Sequence, residues 1–220
     1  MDARYRTDYP GEFVITNSRW AGGKKEETRE WIANPIENHH ISGRAACIGH
    51  TAEKQYFDYT RLQRHRGGLL GSKKLQTYGV GDIAREMRLD FTIETRRDQL
   101  AELVESGYSD NNIVYTDARN CITNPGKFYL IPQKPKLLDL VMIMYLSAFD
   151  GHSEIFMLGY HRETDAGNPG WINQVCEVMQ AYSGTQFVFA GEPTNMPDVW
   201  LDLPNTRAIS YRDFIGYCDI

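Results

Sequence analysis

The sequence lacks both a long hydrophobic run and an apolar leader. None of its 220 residues belongs to an apolar stretch of the roughly twenty residues that a membrane-spanning helix needs. The opening residues, MDARYRTDYPG, contain no apolar core of a secretory signal. We therefore expect a cytoplasmic protein with no membrane partner.

Cysteine is scarce, and its spacing does not fit the common metal and disulfide motifs. The chain has four cysteines and no C-x-x-C pair, so buried thiols in a reducing compartment are the expected state. His39, His40 and His50 do not stand at zinc-ligand spacing from any cysteine pair. Since an Asp-x-Asp pair is also missing, we expect a site without a metal ion.

Two enzyme signatures are absent as well. The chain contains neither a Walker G-x-x-x-x-G-K-[ST] pattern nor a G-x-S-x-G elbow, which argues against P-loop NTPases and α/β-hydrolases. Its net charge of −5 argues against a general polyanion-binding protein. A local basic groove remains compatible with that charge.

The central feature that is present is an apolar helix followed by a short apolar strand. Residues 137–149 are hydrophobic almost all round, which predicts a helix that is covered on every face. After a tight turn, residues 154–160, EIFMLGY, predict a buried strand. Ligands bind beyond the carboxyl ends of the strands in open parallel sheets. We therefore expect a site at Gly159, Tyr160 and His161, in which Gly159 and Tyr160 contact a donor substrate.

Strand and helix patterns alternate along the rest of the chain. Apolar runs bounded by turn residues predict strands at 12–16, 41–48, 75–78, 89–94, 112–115, 128–131, 186–190 and 208–211. Amphipathic spacing predicts helices at 26–33, 80–87, 95–106, 171–182 and 211–217. We predict a single α/β domain over residues 1–220, with a doubly wound, mainly parallel Rossmann-like sheet and helices on both faces.

A glycine-bearing loop follows the first predicted strand. Residues 17–25, NSRWAGGKK, match neither G-x-G-x-x-G nor the Walker pattern. Paired glycines allow backbone amides to approach a phosphate, and the N-terminus of the predicted helix would favour an anion. A solvated turn between strand and helix is the alternative. The candidate residues for binding a phosphate-containing donor substrate are Asn17, Ser18, Arg19, Gly22, Gly23, Lys24 and Lys25.

A basic aromatic insert occupies residues 54–74. Its cations alternate with Tyr56, Phe57 and Tyr59, and two glycine clusters follow. This mixture suits phosphate contacts to a nucleotide or a nucleic acid, whereas a solvated surface helix and loop is the alternative. The candidate residues for binding an acceptor substrate, such as a nucleic acid, are Arg61, Arg64, Arg66, Lys73 and Lys74.

Two segments together resemble sialyltransferases and related glycosyltransferases with a single Rossmann lobe. They are EFVITNS at 12–18 and LDLVMIMYLSAFDGHSEIFMLGYHRE at 138–163. In that family the first turn holds the nucleotide of the sugar donor and the second supplies a wall of the donor site. The chain also resembles, in size and in its basic insert, small bacteriophage glycosyltransferases that decorate hydroxymethylated cytosine in DNA. The resemblance implies a nucleotide-sugar donor, no separate cofactor, modified DNA as a candidate acceptor, and the host cytoplasm.

Glycosyl transfer needs a base for the acceptor hydroxyl and positive charge or amides for the departing phosphate. The candidate bases are His161 and Asp165, after the central strand, and Glu192, after the strand QFVFA. A histidine titrates near pH 6.5, so His161 could act at neutral pH. A non-catalytic nucleotide or nucleic-acid binding module, or another nucleotide-using transferase or hydrolase, would suit the same fold.

Overall fold

The computed structural model describes residues 2–5, 12–33, 43–49, 57–65, 75–131, 136–162 and 170–218. The strands in chain order are β1 (Asp2–Tyr5), β2 (Glu12–Ala21), β3 (Lys24–Ala33), β4 (Arg44–Ile48), β5 (Gln76–Val80), β6 (Phe91–Ile93), β7 (Ile113–Thr116), β8 (Tyr129–Leu130), β9 (Glu154–Leu158), β10 (Gln186–Ala190) and β11 (Thr206–Ile209). The α-helices are α1 (Gly81–Ala84), α2 (Arg97–Glu105), α3 (Tyr108–Asn111), α4 (Ala118–Thr123), α5 (Asp139–Phe149), α6 (Gly170–Ala181), α7 (Asp198–Leu201) and α8 (Tyr211–Cys218).

Eight of these strands form one parallel sheet. Its order is β11-β10-β9-β4-β5-β6-β7-β8, and each pair of neighbours is parallel. The chain moves outward from β4 to β8, returns to the other side of β4 at β9, and continues to β11. This reversal places a topological switch point between β4 and β9. The predicted doubly wound parallel sheet is confirmed.

One face of the sheet is covered by α5 and α6. Every residue of α5 from Val141 to Ala148 is buried, because β4, β5, β6 and β9 lie on one side of the helix and α6 on another. Tyr145 of α5 also packs edge to face against Tyr182, with ring centroids 6.2 Å apart. The prediction of an apolar helix covered on every face is confirmed.

The other face is covered by shorter helices. Leu62 of a 3₁₀ helix (Tyr59–His65), Ile83 of α1 and Phe214 of α8 form one buried cluster with the central strands. Leu100 of α2 and Cys121 of α4 pack beside β7 in another. Helices therefore cover both faces, as predicted.

The first three strands form a separate antiparallel sheet, in the order β1-β2-β3. The predicted helix at 26–33 is wrong, since β3 pairs with β2 along its whole length, from Ala21 opposite Lys24 to Glu12 opposite Ala33. The reason lies in the turn. Gly22 and Gly23 have φ of 56° and 77°, and two successive positive φ values make the tight turn that joins hairpin strands. A residue of β3 also lies close to β8.

Candidate functional site

The switch point between β4 and β9 is closely packed around a glycine. Gly49 follows β4 and donates its N–H to the carbonyl of Leu158 at 2.9 Å. A Cβ at Gly49 would overlap Leu140 in the first turn of α5 and would lie 3.2 Å from the ring of Tyr160. The start of α5 therefore reaches the carboxyl edge of the sheet, beside the switch point, where parallel sheets bind ligands.

A carboxylate at the end of β6 is buried but fully engaged. Glu94 is 1% exposed. Its oxygens accept the backbone N–H groups of Thr95 and Arg96 at 2.9 and 2.8 Å. The Arg96 guanidinium donates to the same carboxylate at 3.0 and 3.1 Å. Four N–H groups, two of them on the cationic guanidinium of Arg96, therefore satisfy the hydrogen-bonding capacity of the buried Glu94 carboxylate.

A second carboxyl, Asp139, lies next to Glu94 at the start of α5. The hydroxyl of Thr95 donates to it at 3.3 Å. Burial raises the pKa of Asp139 above its ordinary value, and the negative charge of Glu94 raises it further. A carboxyl that holds its proton more tightly than usual is a better base once ionised. Perturbed carboxyls of this kind cluster at functional sites.

Arg96 supplies a positive charge at the same edge. Its guanidinium donates to Asp82 at 3.3 Å as well as to Glu94. These carboxylates, Glu94 foremost, raise the pKa of Arg96 above its already high value. Half of the side chain remains exposed, so the cation is open to an anion that approaches from solvent.

A glycine pattern that the sequence-based predictions did not include spans the junction of β5 and α1. Residues 79–84, GVGDIA, read G-x-G-x-x-A, with Gly79 and Val80 at the end of β5 and the rest in α1. Its letters match the alanine-ended form of the dinucleotide-binding fingerprint, in which an acid about 20 residues later binds ribose hydroxyls. Glu94 comes sooner and is buried, and a Cβ at Gly81 would overlap its carboxylate, so close packing explains this glycine. Helix α1 is a single turn, so no phosphate site at its N-terminus follows.

His161 lies on the other side of the switch point, where three elements meet. Its ring packs edge to face against Phe189 of β10, with centroids 5.6 Å apart. Its Nε2 lies 3.4 Å from the hydroxyl of Tyr211 in α8. A Cβ at Gly191 would come within 3.1 Å of the imidazole. The half-buried His161 is thus held at the carboxyl edge, as the sequence predicted.

Tyr160, predicted to contact the donor, is a core residue instead. Its side chain is fully buried, and its hydroxyl donates to the carbonyl of Leu140 at 2.7 Å. Tyr160 follows the end of β9 and packs on the α5 face of the sheet, in the same cluster as Ile155 and Met157. Gly159 has a φ of 79° and makes the bend at the end of β9. Both residues shape the edge without presenting a side chain to a ligand.

Of the two other predicted bases, only Glu192 lies among the described residues. Glu192 follows β10 and is exposed at the carboxyl edge. Asp165 lies outside the described residues. Just before that segment, Arg162 donates its N–H to Asn195 at 2.7 Å and its guanidinium to Met196 at 3.1 Å, and it pairs with Asp198. These contacts of Arg162 therefore fix the segment that follows His161 beside α7.

The predicted donor loop does not join this edge through a strand-to-helix turn. Asn17, Ser18 and Arg19 are in β2, Gly22 and Gly23 form the hairpin turn, and Lys24 and Lys25 begin β3. No helix follows these residues, so the expectation of an anion at a helix N-terminus is wrong for them. A role for them in binding the donor stays a prediction without that physical support.

The predicted acceptor-binding insert is described only in part. Arg61 is exposed on the 3₁₀ helix that also contains Arg64. Phe57 and Tyr59 are buried in the core, so their rings are not free to stack on bases. Arg66, Lys73 and Lys74 lie outside the described residues.

The cluster of Glu94, Arg96 and Asp139 and the imidazole of His161 lie at different places along the carboxyl edge of the sheet. Neighbouring strands lie about 4.8 Å apart, and three such steps separate β6 from β9 in the sheet order. The strands that Glu94 and His161 follow are therefore about 14 Å apart by this spacing. The groups could contact different parts of one extended ligand.

No protein-family model, no curated protein and no solved structure matches the chain. Within the described ranges, no cluster of three or more His, Cys, Asp or Glu side chains could hold a metal ion. In the same part of the chain, no helix has the length and apolar character needed to cross a membrane.

Proposed function

We propose that this protein is a metal-independent glycosyltransferase that moves a sugar from a nucleotide-sugar donor to a hydroxyl acceptor. The observation that carries the proposal is Asp139, a half-buried carboxyl of raised pKa next to Glu94 at the carboxyl edge of a doubly wound sheet. Such an edge binds nucleotides in many α/β proteins. The half-exposed guanidinium of Arg96 at this edge supports a ligand that carries a phosphate group, such as a nucleotide.

Each group at the edge has a chemical role in this proposal. The acceptor oxygen attacks the anomeric carbon of the sugar and passes its proton to the Asp139 carboxylate. The bond between that carbon and the phosphate oxygen breaks, and the electron pair leaves with the nucleotide. Arg96 stabilises the charge that develops on the departing phosphate. Thr95 orients Asp139 through its hydrogen bond.

His161 is the alternative base. It lies at the same edge, and an imidazole is the commonest side chain for proton transfer in enzymes. The acceptor would then bind near β9 and β10. Hydroxymethylcytosine in DNA is the acceptor that the resemblance implies, and the exposed Arg61 supports contact with a polyanion.

A nucleotide-binding module without catalysis is the second candidate function. Arg96 is engaged by Glu94 and Asp82 at the same time. An ion network satisfied within the protein is also how a purely structural cluster is built. The two functions differ in whether the donor is consumed.

The experiment begins with a panel of nucleotide sugars, scored first by thermal shift and then by release of free nucleotide in the presence of hydroxymethylated DNA. We compare the parent with Asp139→Asn, His161→Ala and Glu192→Gln, and with Asp98→Asn as a control that removes an exposed carboxylate from α2. Loss of the base should lower turnover by about a hundred- to ten-thousandfold while leaving donor binding nearly intact. Binding without release of nucleotide by the parent would favour the second candidate, and no binding by any donor would refute both.

A further inference from the structure

The tip of the β2–β3 hairpin presents a largely exposed indole beside basic residues. Trp20 is 77% exposed, the most exposed large hydrophobic side chain of the described residues. It pairs with Lys25 across the hairpin, and Lys24 precedes it at the turn. Both lysines are exposed. We propose that this tip binds single-stranded nucleic acid, with a base stacked on Trp20 and adjacent phosphates contacted by Lys24 and Lys25.

The backbone of the tip places Trp20 and Lys25 on one face of the hairpin, whereas Lys24, opposite Ala21, lies on the other face beside the turn. Directly opposite residues in an antiparallel pair lie on the same face, with Cβ atoms about 5 Å apart. Trp20 and Lys25 are such a pair. The Gly22–Gly23 turn adds no side chain, and a Cβ at either glycine would have no neighbour within 4 Å. The surroundings of the indole are therefore open to a flat ligand.

The chemistry of the tip selects the partner. A single exposed apolar side chain is ordinary on a protein surface. Here, however, the indole is placed with cations on a chain whose net charge is −5, so the tip is basic against the overall charge. An aromatic face together with cations is the combination that binds unpaired bases and their phosphates. A duplex keeps its base faces stacked internally, which favours a single strand. The proposal does not depend on the glycosyltransferase function.

The test measures binding of a short fluorescently labelled oligothymidine to the full chain by anisotropy over a series of salt concentrations. Trp20→Ala should weaken binding about 5- to 150-fold, which corresponds to the stacking energy of one base. Trp20→Phe should retain most of the affinity, because a flat ring remains. Replacing Lys24 and Lys25 together by alanine should reduce the slope of log K against log salt by about 1.4, since each phosphate contact to a single strand contributes about 0.7.

Two control variants remove similar groups elsewhere. Leu201→Ala deletes an apolar side chain on α7 that is 60% exposed, and Arg119→Ala deletes an exposed cation on α4. Both should bind the oligonucleotide like the parent. Circular dichroism and thermal melts check folding of every variant. If Trp20→Ala unfolds at a lower temperature than the parent, the affinities of the lysine double variant and of Trp20→Phe decide the outcome.

Several results would overturn the proposal. One is failure of the parent to bind the oligonucleotide at low salt, and another is binding of the folded Trp20→Ala variant with the same affinity as the parent. A third is that the two control variants lose as much affinity as Trp20→Ala. Tighter binding to duplex than to single strand would also contradict it. Binding of phosphatidylserine vesicles through Trp20, without oligonucleotide binding, would assign the tip to a membrane surface instead.

Discussion

At the scale of single residues, Asp139 is held where its negative charge is unfavourable. Burial and the neighbouring charge of Glu94 both raise its pKa. A carboxyl whose folded-state pKa lies above its unfolded value favours folding below the unfolded pKa, and that contribution is lost as the pH rises through the folded pKa. At neutral pH the ionised Asp139 therefore costs stability. Groups kept in spite of such a cost are typical of functional sites.

We expect Asp139→Asn to be more stable than the parent at neutral pH by roughly 0.5–2 kcal/mol. The amide removes the buried charge and can still accept the Thr95 hydroxyl. The gain should shrink as the pH falls and should vanish below the ordinary pKa of an aspartate, where the parent is protonated as well. Urea unfolding at a series of pH values measures it. Asp98→Asn, on the exposed first turn of α2, should show no such gain, and a less stable Asp139→Asn at neutral pH would contradict the assignment.

Tyr78 links two buried polar groups in the core below the site. Its hydroxyl donates to Asp150 at 2.7 Å and lies 2.9 Å from Nε2 of His152. Burial, followed by the charge of Asp150, raises the pKa of Tyr78. The phenol therefore keeps its single proton for Asp150, and His152 must donate its Nε2–H to the phenol oxygen.

Tyr78→Phe should lower the free energy of unfolding by about 1–3 kcal/mol, because it removes a hydrogen-bond partner from each of two buried groups. Chemical denaturation followed by far-ultraviolet circular dichroism measures the change. Tyr129→Phe is the matched control, since Tyr129 is only half-buried and packs against the ring of Tyr115. Equal free energies of unfolding for the parent and Tyr78→Phe would show that the hydrogen bonds of Tyr78 to Asp150 and His152 contribute no net stability.

At the scale of elements, α4 depends on the residue that precedes it. Asp117 precedes the helix with extended backbone, and its side chain accepts the N–H of Asn120 at 3.0 Å. This satisfies one of the donors that a helix N-terminus leaves open. The cap matters here because α4 has only six residues and cannot rely on helix propensity.

Asp117→Ala should cost about 0.5–2 kcal/mol of stability, the usual range for loss of a capping side chain. Asp117→Asn keeps the acceptor and should remain close to the parent. Thermal melts of the three proteins compare them directly. A loss of equal size in both variants would assign the effect to charge rather than to capping.

At the scale of the whole molecule, the two sheets are built from separate parts of the chain. Each hydrogen-bonded neighbour of the eight parallel strands comes from residues 44–209, while β1, β2 and β3 pair only with one another. We expect a fragment of residues 34–220 to fold cooperatively, with the far-ultraviolet signal of an α/β protein and without the oligonucleotide binding of the hairpin tip. An unfolded fragment would mean that the contact of β3 with β8 is essential.

Local patterns in the sequence predicted most of the parallel sheet. The prediction at 186–190 coincides with β10, and the helix at 137–149 differs from α5 by two residues at its start. These elements are buried on both sides, so their apolar runs are unmistakable. The hairpin was missed because residues 26–33 are mostly polar, so periodicity there does not separate a helix from a strand.

The sequence by itself determined the class of fold, because the period of apolar residues distinguishes buried strands from helices. It also placed His161 and Glu192 at strand ends. Only the tertiary structure decided that Asp139 meets Thr95, 44 residues earlier in the chain, and that Tyr160 is buried under α5. The physical reason is that periodicity identifies elements but not their neighbours. The order of strands and the packing of α5 are set by the total burial of the assembled core, which no short stretch of sequence encodes.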